Sequence, residues 1–250
     1  MATDLARALD PALLATDAGI TLDDWQAAFV RSDDPQTIML IPRQHGKTEG
    51  AVVKALSVAT TEPDSLTLII SPAQRLSNEF VRRARGTVAR MKEPPRLVGD
   101  AAQRVEFENR SRILALPGDN DGDTLRGMAN VRLAIIDEAS RCSDDLIAAV
   151  RPMLATNPRA QLVLLSTPAG KRGKFYETWR SEGRDWKRIR VALGSCPRIT
   201  QEFLDRERKD LGEAKFKQEY LCEFLDDEAN AFNTDIIEAA FTSEFRALWT

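Results

Sequence analysis

Two hundred and fifty residues, 43% hydrophobic and 29% charged, suffice for one large domain with an ample core and no metal or disulfide staple. The net charge of −3 excludes a uniformly basic nucleic-acid binder, and no apolar run approaches the ~18 residues that a membrane-spanning helix needs. Cys142, Cys196 and Cys222 are odd in number and far apart, which argues against a disulfide framework or zinc site and for reduced thiols.

The first residues, MATDLARALDPALLATDAG, lack the basic flank and apolar run of a secretory signal and read as an arm over residues 1–20. Thr21 to Asp24 has capping-box spacing, so a helix is expected over residues 22–31. Residues 37–41 form a short apolar run bounded by prolines, as a strand buried on both faces would. A helix should follow from Lys47 to about residue 60, a second buried strand at 66–70, and a long basic helix at 73–91. Two edge strands are expected at 103–107 and 112–116 around a turn at Asn109 and Arg110, then a loop over 119–123. A third buried strand runs over 131–136, Ser143 caps a helix, and a fourth buried strand runs over 161–165. Beyond Pro168 the pattern loosens into a helix at 174–180, a strand at 186–193, two helices to about residue 224, and an acidic tail. Apolar strands alternating with helices imply βαβ units and a mainly parallel sheet.

Charge is unevenly spread. Residues 75–112 hold ten Arg or Lys against five Asp or Glu, so a local basic face can meet phosphate or an acidic neighbour, or simply be solvated.

Two motifs carry the chemistry. Pro42, Arg43, Gln44, His45, Gly46, Lys47 and Thr48 follow a buried strand and open a helix. Backbone N–H groups of such a loop cradle phosphate oxygens; Lys47 neutralises the β- and γ-phosphates and the Thr48 hydroxyl holds Mg²⁺. The standard pattern would place its first glycine at Ile41, which this chain lacks. The second motif delivers Asp137 and Glu138 to the end of a strand, Leu133 to Ile136. Two adjacent acids there call for a cation. Asp137 suits the water shell of Mg²⁺, and Glu138 suits the general base that polarises the attacking water.

Residues 43–48 resemble the deviant phosphate loop (Walker A) of phage large terminase subunits, the ATPases that package viral DNA, in which an Arg-Gln pair replaces the usual small residues. Trp25 and Gln26 are similar to that family's adenine-reading Q motif, although Gln26 read alone is an exposed helix residue. Leu125, Arg126 and Gly127 lie where the family places an arginine finger acting in trans; read alone, Arg126 is a loop arginine. Ser166, Thr167 and Pro168 resemble its coupling motif, or else form a plain strand-end turn. Arg43 is either a finger acting in cis or a loop-shaping residue, and His45, the only histidine, is either catalytic or filler at a loop tip.

The resemblance covers about residues 22–232. It implies a P-loop NTPase of the RecA-like class: an α/β three-layer sandwich with a mainly parallel sheet, a core over 21–195, and C-terminal helices with an acidic arm over 196–250. It further implies ATP and Mg²⁺ as cofactors, and double-stranded DNA, a homo-oligomeric ring on a portal and a small terminase subunit as partners. It implies work in the infected host's cytoplasm, away from membranes. Asp226, Asp227, Glu228 and Asp235 crowd into one tail, so the family's RNase H-like nuclease is not expected here. Two other readings stay open: a DEAD-like helicase, from Asp137-Glu138-Ala139-Ser140, and a module in which nucleotide gates assembly without hydrolysis. The first needs a second RecA-like domain, and the second has no use for Glu138.

Overall fold

The computed structural model describes residues 2–99, 101–118, 128, 130–181, 183 and 185–226. A seven-stranded sheet runs through the centre in the order β3-β4-β2-β5-β6-β1-β7. All neighbours pair in parallel except β3 (Arg104–Glu106), which runs antiparallel to β4 (Arg112–Pro117). The four apolar runs form the middle strands β1 (Gln36–Leu40), β2 (Leu66–Ser71), β5 (Val131–Asp137) and β6 (Gln161–Ser166).

Their side chains alternate between two cores, as a period of two requires. Met39, Ile69, Leu133, Ile135 and Val163 face one side, against α3 (Asp24–Arg31), α4 (Lys47–Thr61) and α5 (Gln74–Arg90). Ile38, Leu68, Ile70, Ala134, Ile136 and Leu164 face the other, against α6 (Asp144–Leu154) and α7 (Gly173–Arg180). Both faces are covered, which is why these strands read as continuous apolar runs. Ser143 caps α6 as expected, its hydroxyl accepting from Leu146 N at 3.3 Å.

Three expectations are corrected. The capping box is Asp23 with Gln26, not Thr21 with Asp24, so α3 begins at Asp24; a carboxylate backed by a Gln at the third helical position out-competes the threonine upstream. The described residues of the expected arm, 2–20, pack on the core. They contribute α1 (Ala2–Leu9) and α2 (Leu13–Asp17), with Leu14 and Ala15 inside the same cluster as Met39. The strand expected over 186–193 is shorter: β7 (Lys187–Arg190) gives way to a 3-10 turn at Leu193–Ser195. Towards the end of the described residues come α8 (Gln201–Leu211) and α9 (Glu213–Tyr220), a helix pair with its own small core of Leu204, Phe216 and Tyr220. Among the described residues, no helix is long and apolar enough to cross a membrane.

Parallel strands bring their C-terminal ends to one edge. The loops after β1, β5 and β6 therefore meet there, the usual ligand-binding crevice of an open α/β sheet.

Candidate active site

The loop after β1 turns back through two left-handed residues, Gln44 (φ 60°) and Gly46 (φ 77°), before α4 begins. Gly46 is required twice over: its φ disfavours any Cβ, and a Cβ would stand 2.6 Å from Gln26 Nε2. The N-terminus of the 15-residue α4 faces the loop, so unpaired backbone N–H groups and the positive end of the helix dipole converge where an anion would sit.

Gln26 is buried, not exposed, and it faces the loop. Its Nε2 donates to Gly46 O at 2.8 Å, and its Oε1 accepts from Asp23 N at 2.8 Å. Arg198 reaches across to pair with Asp23 at 2.6 Å. His45 is fully buried rather than at an exposed tip; Nδ1 lies 2.9 Å from Arg43 O and Nε2 lies 2.8 Å from Leu193 O. Both side chains brace the loop from behind.

Lys47 joins the two motifs. Its Nζ lies 2.6 Å from Glu138 Oε1 and 3.1 Å from Asp137 Oδ1. Burial disfavours its ammonium, but the two carboxylates outweigh burial and hold its pKa above the ordinary value. For Glu138, burial pushes the carboxyl up, while the charges of Lys47 and Arg141 more than offset it and bring it below the usual range. Glu138 also adopts a left-handed backbone (φ 55°), uncommon for a residue with a long side chain, and its N–H donates to Asp137 Oδ1 at 3.0 Å. That conformation turns its carboxylate into the crevice while Asp137 ends the strand.

Ser166 and Thr167 lie beside these acids, both buried. Ser140 ties the two strand ends together: its Oγ is 2.7 Å from Ser166 Oγ and donates to Thr167 O at 2.8 Å. Thr167 Oγ1 accepts from Arg141 at 3.4 Å. A cavity of about 500 Å³ is lined by Arg43, Gln44, Gly46, Lys47, Thr48, Glu138, Arg141, Thr167 and Glu219, among others. Gln26 and His45 do not line it. Arg43 is exposed there, and among the described residues its guanidinium makes no hydrogen bond or ion pair. Arg126, and with it the acids Asp227, Glu228 and Asp235, lies outside the described residues.

Four lining residues escaped the sequence reading: Glu49, Arg83, Arg141 and Glu219. Arg141 follows Glu138 by three positions on a 3-10 turn, a spacing that brings side chains together on one face and offers a local hint. Glu219 lies 78 positions from Arg141, and nothing local marks it.

The donor set suits Mg²⁺ with a nucleotide. Among the described residues there is no group of three or more His, Cys, Asp or Glu side chains able to hold a metal alone. Thr48, in the first turn of α4, offers a hydroxyl, and Asp137, at the end of β5, offers one carboxylate. That is the sparse arrangement Mg²⁺ adopts when water and phosphate complete its shell.

A family model described as terminase large subunit, T4likevirus-type, N-terminal, matches residues 38–239. No curated protein matches the chain. Among solved structures, the large terminase ATPase domain of Thermus phage P74-26 is similar at TM-score 0.73 and 23% identity, over 84% of this chain and 97% of that one. The bacteriophage HK97 large terminase is similar at TM-score 0.68 and 16% identity, over 82% of this chain and 51% of that one. A large terminase from a thermophilic bacteriophage, solved in complex with ADP, is similar at TM-score 0.67 and 11% identity, over 82% and 54%. The chain thus spans about half the length of the latter two.

Proposed function

The chain belongs to the T4likevirus-type family of terminase large subunits, N-terminal region, and from that premise we propose that it hydrolyses ATP to drive double-stranded viral DNA into a procapsid. The observation that carries the catalytic reading is Lys47, the first residue of α4, beside Asp137 and Glu138 at 3.1 and 2.6 Å. A phosphate-binding loop whose lysine lies beside two strand-end carboxylates brings together the parts that phosphoryl transfer uses.

Each side chain then has a task. The loop N–H groups and Lys47 hold the phosphates, with Gln26 and His45 fixing the loop from behind. Thr48 and Asp137 would hold Mg²⁺, which would supply positive charge against the phosphates. Glu138 accepts the proton of the attacking water once Lys47 has turned to the phosphates. Arg43 faces the cavity uncommitted, so it can stabilise charge developing on the transferred phosphoryl group. Ser166 and Thr167 adjoin Glu138 through Ser140 and Arg141, a path by which phosphate loss reaches the rest of the fold. The motor acts as a homo-oligomeric ring at a portal, with a small terminase subunit and DNA as partners, in the cytoplasm of the infected host. The nucleotide core comprises residues 21–195 together with the packed N-terminal helices.

Phosphate release measured with and without Mg²⁺, and with and without double-stranded DNA, tests the reading. Mg²⁺-dependent turnover that falls away in Lys47→Ala is expected. Turnover indifferent to both Mg²⁺ and Lys47 would refute it.

A further inference from the structure

Resting on the ATPase reading, we infer that Arg141 and Glu219 form a latch that passes the state of the nucleotide site to the α8–α9 pair. Arg141 is in contact with three groups at once. Its Nη1 donates to Glu138 Oε2 at 2.8 Å and to Thr167 Oγ1 at 3.4 Å, and its Nη2 donates to Glu219 Oε1 at 3.3 Å. One guanidinium therefore spans the base, the strand-end threonine and α9.

Glu219 is an unusual partner. Its side chain is only 6% exposed, and its other cation, Lys215, is further away at 3.7 Å. A carboxylate so buried depends on its counter-ion, since losing one partner of a buried pair leaves a charge uncompensated. Its backbone is committed to the same site: Glu219 O accepts from Arg43 N at 2.8 Å. The preceding residue, Gln218, donates from Nε2 to Pro168 O at 2.6 Å, just past Thr167. The last turn of α9 thus rests on all three loops that ring the cavity.

The helix pair meets the cavity on a small core of its own. Its apolar core of Leu204, Phe216 and Tyr220 is separate from the two cores flanking the sheet. Its attachment at the cavity is polar, through the contacts just named, while the chain just past α9 packs Cys222 and Phe224 into the second core. Polar contacts of this kind can be exchanged without repacking an interior.

A triphosphate entering the cavity competes for the cations that now hold Glu138, namely Lys47 and Arg141. Glu138 must shed positive charge to act as a base, and Arg141 can release it only by moving its guanidinium relative to Glu219. The bond to α9 is then strained or broken at the moment the base is freed. Loss of the γ-phosphate restores it. Arg141 and Glu219 are accordingly positioning residues whose pairing couples site occupancy to α9.

Hydrogen exchange of the α9 amides, with and without a non-hydrolysable ATP analogue, tests the latch in wild type, Arg141→Gln and Glu219→Gln. Binding of the analogue is followed in parallel by calorimetry. Wild type should show a nucleotide-dependent change in α9 exchange. Both variants should bind the analogue, Arg141→Gln more weakly, yet lose most of that change, with turnover lowered about tenfold, in the usual range of coupling between sites. The isosteric Glu219→Gln retains shape and removes only charge, so loss of coupling there is not loss of fold. Binding without any α9 response in wild type, or a response undiminished in both variants, would overturn the latch. Failure of wild type to bind the analogue at all would instead overturn the ATPase reading.

Discussion

Lys47 Nζ sits 2.6 Å from Glu138 Oε1, an ion pair that joins the phosphate loop to the residue best placed to activate water. The same ammonium is 3.1 Å from Asp137 Oδ1, so one cation holds both acids. Lys47→Ala should reduce ATP turnover by at least about 10²–10³, the usual cost of deleting one electrostatic stabiliser. It should leave the circular-dichroism spectrum intact. Near wild-type turnover in the variant would sink the assignment.

The two acids differ in how they are held, and their variants should differ too. Asp137 ends a buried strand, whereas Glu138 projects from a left-handed turn into the cavity. Glu138→Gln should bind Mg-ATP but barely hydrolyse it, since only the base is lost. Asp137→Asn should weaken binding in the presence of Mg²⁺ and change it little in its absence. Equal loss of binding in both would refute this division of roles.

Gln26 offers a sharper discrimination. Its amide is taken up by Asp23 N and Gly46 O, each at 2.8 Å, which makes it a clamp on the phosphate loop. Gln26→Ala should therefore weaken ATP and GTP binding by similar factors. A base reader would lose affinity for ATP alone. Titration of both nucleotides into wild type and variant decides between them.

These residues also mark how far the sequence can be read. The central strands were legible because both faces are buried, leaving unbroken runs such as Leu133 to Ile136. The phosphate loop and the Asp137-Glu138 pair were legible because their chemistry requires residue types in fixed order next to a strand. Gln26 was harder. An amphipathic helix shows which face is apolar, but not that a polar side chain turns inward to meet a carbonyl 20 positions away. Glu219 was invisible, since its meeting with Arg141 depends on where α9 docks and leaves no periodic trace. His45 was misread as a tip residue because loops are assumed exposed, while its ring fills the space between Arg43 O and Leu193 O.

Lys54 gives a prediction in stability. It is buried on α4, where its ammonium caps α3 by donating to Ser32 O at 2.7 Å, and burial brings its pKa from 10.5 down to about 8. A lysine depressed in the fold binds fewer protons there than in the unfolded chain between those values, so its contribution to stability rises with pH across that window. The contribution is fully present above 10.5 and is lost as pH falls through about 8. Cys142 and Cys222, pushed up to about 12 by burial, oppose this above pH 9, so a comparison with Lys54→Met isolates the lysine. Urea unfolding from pH 7 to 10 should show the wild type gaining on the variant by on the order of 2–3 kcal/mol. Parallel curves would mean that Lys54 is not titrating in the fold.

The arginine that completes the site is decided by mixing subunits. Arg43 lines the cavity with its guanidinium uncommitted among the described residues, in the same loop as Lys47, so it can only serve its own site. The resemblance to large terminases implies the complementary role for Arg126, which would act on a neighbour. An arginine finger contributes about 10³–10⁵ in rate, so loss of either candidate, if it is the finger, should nearly silence turnover. Glu138→Gln subunits keep both arginines, and Arg126→Ala subunits keep the base. If Arg126 acts in trans, these two together should regain activity that neither has alone, since an Arg126→Ala site receives its finger from a Glu138→Gln neighbour. Activity in wild type should likewise rise with protein concentration as subunits assemble. The parallel mixture of Glu138→Gln with Arg43→Ala should stay inactive, because the only subunits with a base lack their own Arg43. Recovery in the Arg43 mixture, or none in the Arg126 mixture where wild-type subunits demonstrably assemble, would reverse the assignment and make Arg43 the finger in the latter case.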